Sequence, residues 1–107
     1  MATTLDCARL LTYRAAWLID ETMKNEGISG IQNIMGEASM AKLYAAEAAE
    51  QIALMSAKLH GGYGYMEEYP IKGVRDDALV LSTYEGVTEV QEFIIARQLL
   101  AKYGLKI

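Results

Sequence analysis

The strongest constraint on the fold is a run of small and apolar residues that recurs at alternating steps of four and three. The positions are Ile34, Ala38, Ala41, Ala45, Ala48, Ile52, Met55 and Leu59. This spacing places one stripe along a single α-helix, and a stripe centred on alanine lets a facing helix approach closely. The sequence therefore predicts a long helix, ending before Gly61, at the middle of a helical bundle.

Helices are also predicted on both sides of this stripe. Helical spacing of apolar residues begins at Leu5 and stops near Gly27, and a shorter helical run extends from about Val74 to Thr83. The period-two alternation typical of strands is absent. The prediction is an all-α protein.

A fourth helix is predicted to begin at the pattern Thr88-x-x-Gln91. In such a capping box the Thr88 hydroxyl accepts from the Gln91 amide while the Gln91 side chain reaches back. The apolar face expected for this helix consists of Val90, Phe93, Ile94 and Leu100. Together these elements predict one domain over residues 1–107, an up-and-down antiparallel four-helix bundle.

Charge and composition exclude several classes of partner. The net charge is −4 and the ten basic residues are scattered, so no electrostatic footprint for nucleic acid or an anionic membrane is expected. The single cysteine, Cys7, and the single histidine, His60, predict neither an internal disulfide nor a metal site. The N-terminal residues show no targeting pattern and no apolar stretch approaches the ~20 residues of a membrane span, so we expect a cytoplasmic location.

Two glycine-marked joints are candidate functional segments. The first, "HGGYGY", runs from His60 to Tyr65 and is either a plain helix end or open backbone that a phosphate or a flat ring can approach. The second, "YEGVTEVQ", contains Glu85. This glutamate is either a first-turn acid favoured by the helix dipole or a general base beside backbone N–H groups.

Residues 41–100 resemble a known family once these joints are taken together. The stretch "AKLYAAEAAEQIALMSAKLHGGYGYMEEYPIKGVRDDALVLSTYEGVTEVQEFIIARQLL" combines the glycine motif with "EYP", an Asp77-Ala78 pair, "YEG" and "IAR". In this order it resembles the C-terminal helical domain of acyl-CoA dehydrogenases, which are FAD-dependent oxidoreductases that convert acyl-CoA thioesters to trans-2-enoyl-CoA. "TYRAAW" at residues 12–17 extends the resemblance over nearly the whole chain.

The resemblance implies roles for particular residues. Glu85 would be the base that removes the α-proton while the β-hydrogen leaves as hydride to FAD, and its own N–H would help to bind the thioester carbonyl. Gly86 would leave room for the thioester. The implied FAD contacts are Lys58, Leu59, His60, Gly61 and Gly62 in the glycine turn, and Val87, Thr88 and Glu89 at the start of the last helix.

The resemblance also implies a larger assembly. Family subunits have an N-terminal helical domain and a middle β-domain, form homotetramers, pass electrons to electron-transfer flavoprotein or a similar acceptor, and act in fatty acid β-oxidation. A chain with the C-terminal domain alone is expected to be inactive, and a eukaryotic one would lie in the mitochondrial matrix.

A non-catalytic assembly module is the alternative function. Lys58 stands where the family usually has glutamine, Val87 replaces a threonine, and Asp76 replaces an arginine.

Overall fold

The computed structural model describes residues 1–105, and these residues form an all-α structure with four α-helices. The helices are α1 (Ala2–Asn25), α2 (Met35–Leu59), α3 (Pro70–Leu79) and α4 (Thr88–Lys102). Short 3-10 segments occupy Gly27–Ile34, Gly61–Gly64 and Val80–Ser82. No strand occurs within residues 1–105. The predicted fold class is confirmed, whereas residues 106 and 107 of the predicted single domain lie outside the described part.

Helix α2 is the centre of the structure, because α1, α3 and α4 each pack against it. Within residues 1–105 the buried apolar residues are all alanines, namely Ala8, Ala15, Ala41, Ala46, Ala48, Ala53, Ala57 and Ala78. No large side chain in residues 1–105 is fully buried. Small side chains at the contacts let the helix axes come close, which agrees with the prediction of a central alanine-rich helix.

The single stripe predicted for α2 is only partly right. Ala41 and Ala48 are buried, but Ala38 is exposed and Leu59 is 74% exposed. The other buried positions of α2 are Gly36, Ser39, Ala46, Ala53 and Ala57. Because three helices pack around α2, its buried residues extend over several faces and do not follow one seam.

Helix α3 begins four residues earlier than predicted, at Pro70 instead of Val74, and its regular part ends at Leu79. Proline is favoured in the first turn because its missing N–H has no intrahelical partner there and its φ already suits a helix. The predicted end near Thr83 falls after the 3-10 segment Val80–Ser82, which continues the helix by a tighter turn.

The capping box predicted for α4 is wrong, although the helix does begin at Thr88. Val87 is the N-cap residue and no side chain caps the helix. The Thr88 hydroxyl instead donates to the Ser82 carbonyl over 3.5 Å, and the Gln91 side-chain amide donates to the Gly86 carbonyl over 3.4 Å. Both side chains therefore fix the preceding joint.

The apolar face predicted for α4 is also wrong in part. Val90 and Phe93 are 49% and 54% exposed, while the polar Gln91 is only 8% exposed. The cause is the side-chain amide of Gln91, which is turned inward to the Gly86 carbonyl. Gln98 likewise turns inward, where it accepts from the Gly36 N–H at the start of α2 and donates to the Asn33 carbonyl in the 3-10 segment before it.

Glu37 links three helices through ion pairs. Its carboxylate on α2 is paired with Arg14 of α1 and lies 3.7 Å from the Lys102 ammonium of α4. The Glu37 side chain is only 12% exposed. The hydrogen bond from Arg14 and the nearby positive charges hold the pKa of Glu37 below its ordinary value, and partial burial opposes this shift.

The Glu37 ion pairs predict a pH-dependent contribution to stability. Because the folded pKa lies below the unfolded one, the contribution is complete above the ordinary value of 4.5 and is lost as the pH falls through the folded pKa. Urea unfolding of the wild type and of Glu37→Gln should therefore differ at pH 7 and converge in acid. A difference that is the same at pH 7 and pH 3 would contradict this assignment.

Candidate functional site

Glu85 lies in the joint between the 3-10 segment after α3 and the start of α4, in an unusual backbone conformation. Its φ is +53°, and it is the one non-glycine residue with positive φ in the described chain. Gly86 follows with a φ of +99°. Positive φ is uncommon for a residue with a Cβ and costs free energy, so the surrounding structure must hold it.

The surrounding structure holds this joint through hydrogen bonds to the Gly86 carbonyl. The Lys42 ammonium on α2 donates to it over 2.6 Å, and the Gln91 side-chain amide donates to it over 3.4 Å. One carbonyl oxygen has two lone pairs and can accept both. The φ of Gly86 favours glycine, and a Cβ at position 86 would also displace the Gln91 side-chain amide from its place beside this carbonyl.

The carboxylate and the backbone N–H of Glu85 lack a protein partner within residues 1–105. Its N–H donates to no acceptor there, and its exposed carboxylate forms neither an ion pair nor a hydrogen bond there. An N–H inside a regular helix would already be used by the helix. The joint thus leaves a carboxylate and an amide of one residue available to a ligand.

Glu85 borders a cleft of about 270 Å³ whose wall is mostly apolar. The cleft is lined by Lys42, Ala45, Ala46, Leu81, Tyr84 and Glu85. An apolar cleft with a few polar groups at its edge is typical of small-molecule sites. Chemically, the carboxylate can act as a general base here, and the N–H can donate to an oxygen on which negative charge develops.

The glycine turn serves the fold at two positions and leaves a third unexplained. Gly61, with a φ of +59°, ends α2, and Gly64 packs so closely on the Ala57 carbonyl that a Cβ would overlap it. Gly62 has neither a positive φ nor any atom within 4 Å of an added Cβ. The fold therefore does not require glycine at position 62, where the backbone is open to a ligand.

His60 and two cations, Lys58 and Arg75, lie beside the glycine turn. The His60 Nδ1 lies 2.7 Å from the Ser56 carbonyl, so the ring is bound to the helix end. Lys58 and Arg75 line one cleft of about 180 Å³ with Gly61 and Gly64. Arg75 is paired with Asp76 over 3.1 Å, which leaves Lys58 as the stronger attraction for an anion in this cleft.

The predicted site residues fall into two separate places. Glu85, Gly86, Val87, Thr88 and Glu89 lie at the start of α4, whereas Lys58, Leu59, His60, Gly61 and Gly62 lie at the end of α2. The clefts of Glu85 and Lys58 share no lining residue. Lys42 and Lys58, one from each cleft, are separated by sixteen residues of α2, or about 24 Å along its axis.

Sequence reasoning missed Lys42 and misassigned Gln91. A signal for Lys42 was present, because it is the one basic residue of α2 before the last turn of that helix. The signal for Gln91 was ambiguous, since a glutamine three residues after a threonine also fits a capping box.

Neither a cluster of metal ligands nor a membrane-spanning helix occurs in the described chain. Residues 1–105 bring no three His, Cys, Asp or Glu side chains together in a way that could hold a metal ion. None of the four helices combines the length and the apolar character that crossing a bilayer requires.

Comparison with known proteins gives one consistent result. Residues 1–100 match the family model described as acyl-CoA dehydrogenase, C-terminal domain. Caffeyl-CoA reductase-Etf complex subunit CarC of Acetobacterium woodii is 41% identical over 102 residues, which are 95% of this chain and 24% of that protein. Human mitochondrial short-chain specific acyl-CoA dehydrogenase is 41% identical over 103 residues, 96% of this chain and 23% of that protein.

A solved structure supports the same relationship. A Mycobacterium abscessus chain that carries the name acyl-CoA dehydrogenase superposes with a TM-score of 0.79 at 30% sequence identity. The match covers 95% of this chain and 23% of the other. The chain thus spans about a quarter of the length of the relatives that it matches.

The Gly86 conformation predicts the effect of two glycine substitutions. Gly86→Ala should lower the free energy of unfolding by about 1–3 kcal/mol, because alanine disfavours this φ and its Cβ meets Gln91. Gly73→Ala is the matched control, since Gly73 lies in α3 with open space around it. It should stabilise the helix by about 0.5–1 kcal/mol. Urea unfolding measures both, and equal effects would contradict the assigned role of Gly86.

Proposed function

Since this chain belongs to the acyl-CoA dehydrogenase family and matches its C-terminal domain, we propose that Glu85 is the base that removes the α-proton of an acyl-CoA thioester. One observation carries the proposal. Glu85 stands in a left-handed joint that leaves both its carboxylate and its own N–H without a protein partner, beside an apolar cleft. The substrate class is taken from the family.

The two free groups of Glu85 match the two demands of this reaction. The α-proton of a thioester is weakly acidic, so a base must lie within reach of the α-carbon, and the charge that develops on the carbonyl oxygen must be stabilised. The carboxylate meets the first demand and the N–H meets the second. Gly86, which lacks a side chain next to this N–H, leaves room for the thioester.

FAD is the cofactor in this proposal, and the glycine turn fits it. When bound, FAD supplies the acceptor for the β-hydrogen, which leaves as hydride. Open backbone at Gly62 and the ammonium of Lys58 suit a pyrophosphate. Leu59, His60 and Gly61 would contribute to this contact, as the family resemblance implies. Val87, Thr88 and Glu89 would contact the dinucleotide from the start of α4, as the family resemblance implies.

The separation between the glycine turn and Glu85 supports an oligomer. In the family the glycine turn contacts FAD held mainly by a neighbouring subunit, and here that turn lies far along α2 from Glu85. The outer face of α1 also exposes large apolar residues, with Leu10, Tyr13 and Trp17 at 68%, 67% and 61%. We therefore include a homo-oligomer in the proposal, with further domains or subunits covering these side chains.

The proposed role of Glu85 applies to both the oxidative and the reductive direction of the reaction. Two relatives are named as reductases, the caffeyl-CoA reductase subunit and a 3-(aryl)acrylate reductase of Clostridium sporogenes. In the reductive direction the same Glu85, now protonated, would return the proton to the α-carbon. One relative's name includes an Etf complex, which supports electron-transfer flavoprotein or a similar acceptor as the redox partner.

The second candidate function is a non-catalytic assembly module. The exposed apolar residues of α1 favour it, because they suit a binding face whether or not Glu85 is used. Loss of activity on substitution of Glu85 would separate the two candidates, since an assembly module has no need of this carboxylate.

The first test replaces Glu85 with glutamine. In the complete subunit that carries this domain, loaded with FAD, Glu85→Gln should reduce acyl-CoA-dependent reduction of the flavin by at least about 10³-fold, since the amide cannot accept the proton. FAD content should remain unchanged. Glu92→Gln, an exposed glutamate of α4, is the matched control and should retain full activity. Activity retained in Glu85→Gln would remove Glu85 from the mechanism.

The second test concerns Gly62 and FAD. Gly62→Ala should leave the melting temperature unchanged, because nothing lies within 4 Å of the added Cβ. In the complete subunit it should raise the Kd for FAD by about tenfold or more, the effect of ~1.4 kcal/mol of steric overlap. Gly73→Ala, also in open space, should leave the Kd unchanged. An unaltered Kd in Gly62→Ala would contradict the FAD contact at this turn.

A further inference from the structure

We infer that Lys42 is a positioning residue for Glu85: its ammonium fixes the Gly86 carbonyl and so maintains the left-handed joint from which the Glu85 carboxylate and N–H reach the cleft. The inference rests on the proposed function of Glu85. It concerns a residue of α2 that lies 43 positions earlier in the chain.

The contact is strong, and no carboxylate in the described chain competes with the Gly86 carbonyl for the Lys42 ammonium. The Lys42 nitrogen lies 2.6 Å from the Gly86 oxygen, a short charge-assisted hydrogen bond in a partly buried place. No carboxylate within residues 1–105 forms an ion pair with Lys42. The Lys42 ammonium thus contacts a neutral carbonyl in a partly buried place and not a counter-ion. We take this to mean that the fold directs it to that carbonyl.

The joint depends on this contact because its backbone has few others. Tyr84 N–H is bound to the Val80 carbonyl on one side, and Val90 and Gln91 N–H are bound to the Val87 carbonyl on the other. Between Tyr84 and Val87, the backbone of residues 85 and 86 forms two hydrogen bonds with the described residues, and both end on the Gly86 oxygen. Of these, the Lys42 bond is the shorter by far.

The geometry connects the contact to catalysis. Glu85 has a positive φ that a residue with a Cβ seldom adopts, so its surroundings must hold this conformation, whereas Gly86 adopts its positive φ without strain. Loss of the Lys42 bond would let the Gly86 peptide rotate, and the N–H and carboxylate of Glu85 would move with it. Lys42 also lines the same cleft as Glu85, so α2 sets both the wall of the cleft and the direction of the base.

The test compares Lys42→Met, which keeps the length and loses the donor, with Lys42→Arg, which keeps a donor. Lys24→Met is the matched control, because Lys24 is exposed on α1 and pairs with Glu21. All variants are made in the complete FAD-loaded subunit. The measurements are kcat and KM for acyl-CoA, the rate at which the acyl α-hydrogen exchanges with solvent deuterium, FAD content and melting temperature.

Lys42→Met should lower kcat and the α-hydrogen exchange rate by about 10- to 100-fold, because a misplaced base loses its near-attack geometry. KM, FAD content and the melting temperature should change little, Lys42→Arg should recover most of the exchange, and Lys24→Met should match the wild type. A wild-type exchange rate in folded Lys42→Met would overturn the inference. For a Lys42→Met that does not fold, Lys42→Leu, which also lacks a donor, takes its place, with slowed exchange in a folded protein as support and wild-type exchange as refutation.

Glu85→Gln in the same series separates the two proposals. If Glu85→Gln exchanges the α-hydrogen at the wild-type rate, the proposed function fails and Lys42 has no base to position. If Glu85→Gln blocks exchange while Lys42→Met does not slow it, the proposed function stands and only the role of Lys42 is refuted.

Discussion

The alanines of α2 are the constraint on which the rest of the structure depends. Because the buried apolar side chains of the described residues are all alanines, α1, α3 and α4 can each pack closely on this one helix. The same helix reaches the functional joint, since Lys42 binds the Gly86 carbonyl and Ala45 and Ala46 line the Glu85 cleft. A core of small side chains thus brings α2 against the joint that holds Glu85, the one non-glycine residue at positive φ in the part of the chain that the structure describes.

Much of the fold could be predicted because helical spacing and glycine stops are local signals. Gly61 ends α2 as expected, and the four helices are present. The faces of the helices could not be predicted in the same way. Val90 and Phe93 were expected inside and lie half exposed, while Gln91 is buried because its amide binds a carbonyl five residues earlier. Such a side-chain contact with the joint before the helix leaves no periodic pattern in the sequence.

The candidate site could likewise be predicted from sequence only in part. Glu85 and the glycine turn could be found from sequence because a family resemblance and glycine clusters mark them. The role of Lys42 could not, because a hydrogen bond between residues 42 and 86 depends on how α2 packs against the joint. The structure also separates glycines that the sequence treats alike, since the fold requires Gly61 and Gly64 but not Gly62. The cytoplasmic location and the oligomer stay predictions.

The most direct measurement for Glu85 is a crystal structure of the complete FAD-loaded subunit with a non-reactive acyl-CoA analogue bound. The account predicts Glu85 with φ near +53°, its carboxylate about 3–3.5 Å from the α-carbon, and its N–H nitrogen about 2.7–3.1 Å from the thioester oxygen. A ligand whose α-carbon lies beyond the reach of the Glu85 carboxylate, with another carboxylate in contact with it, would contradict the account.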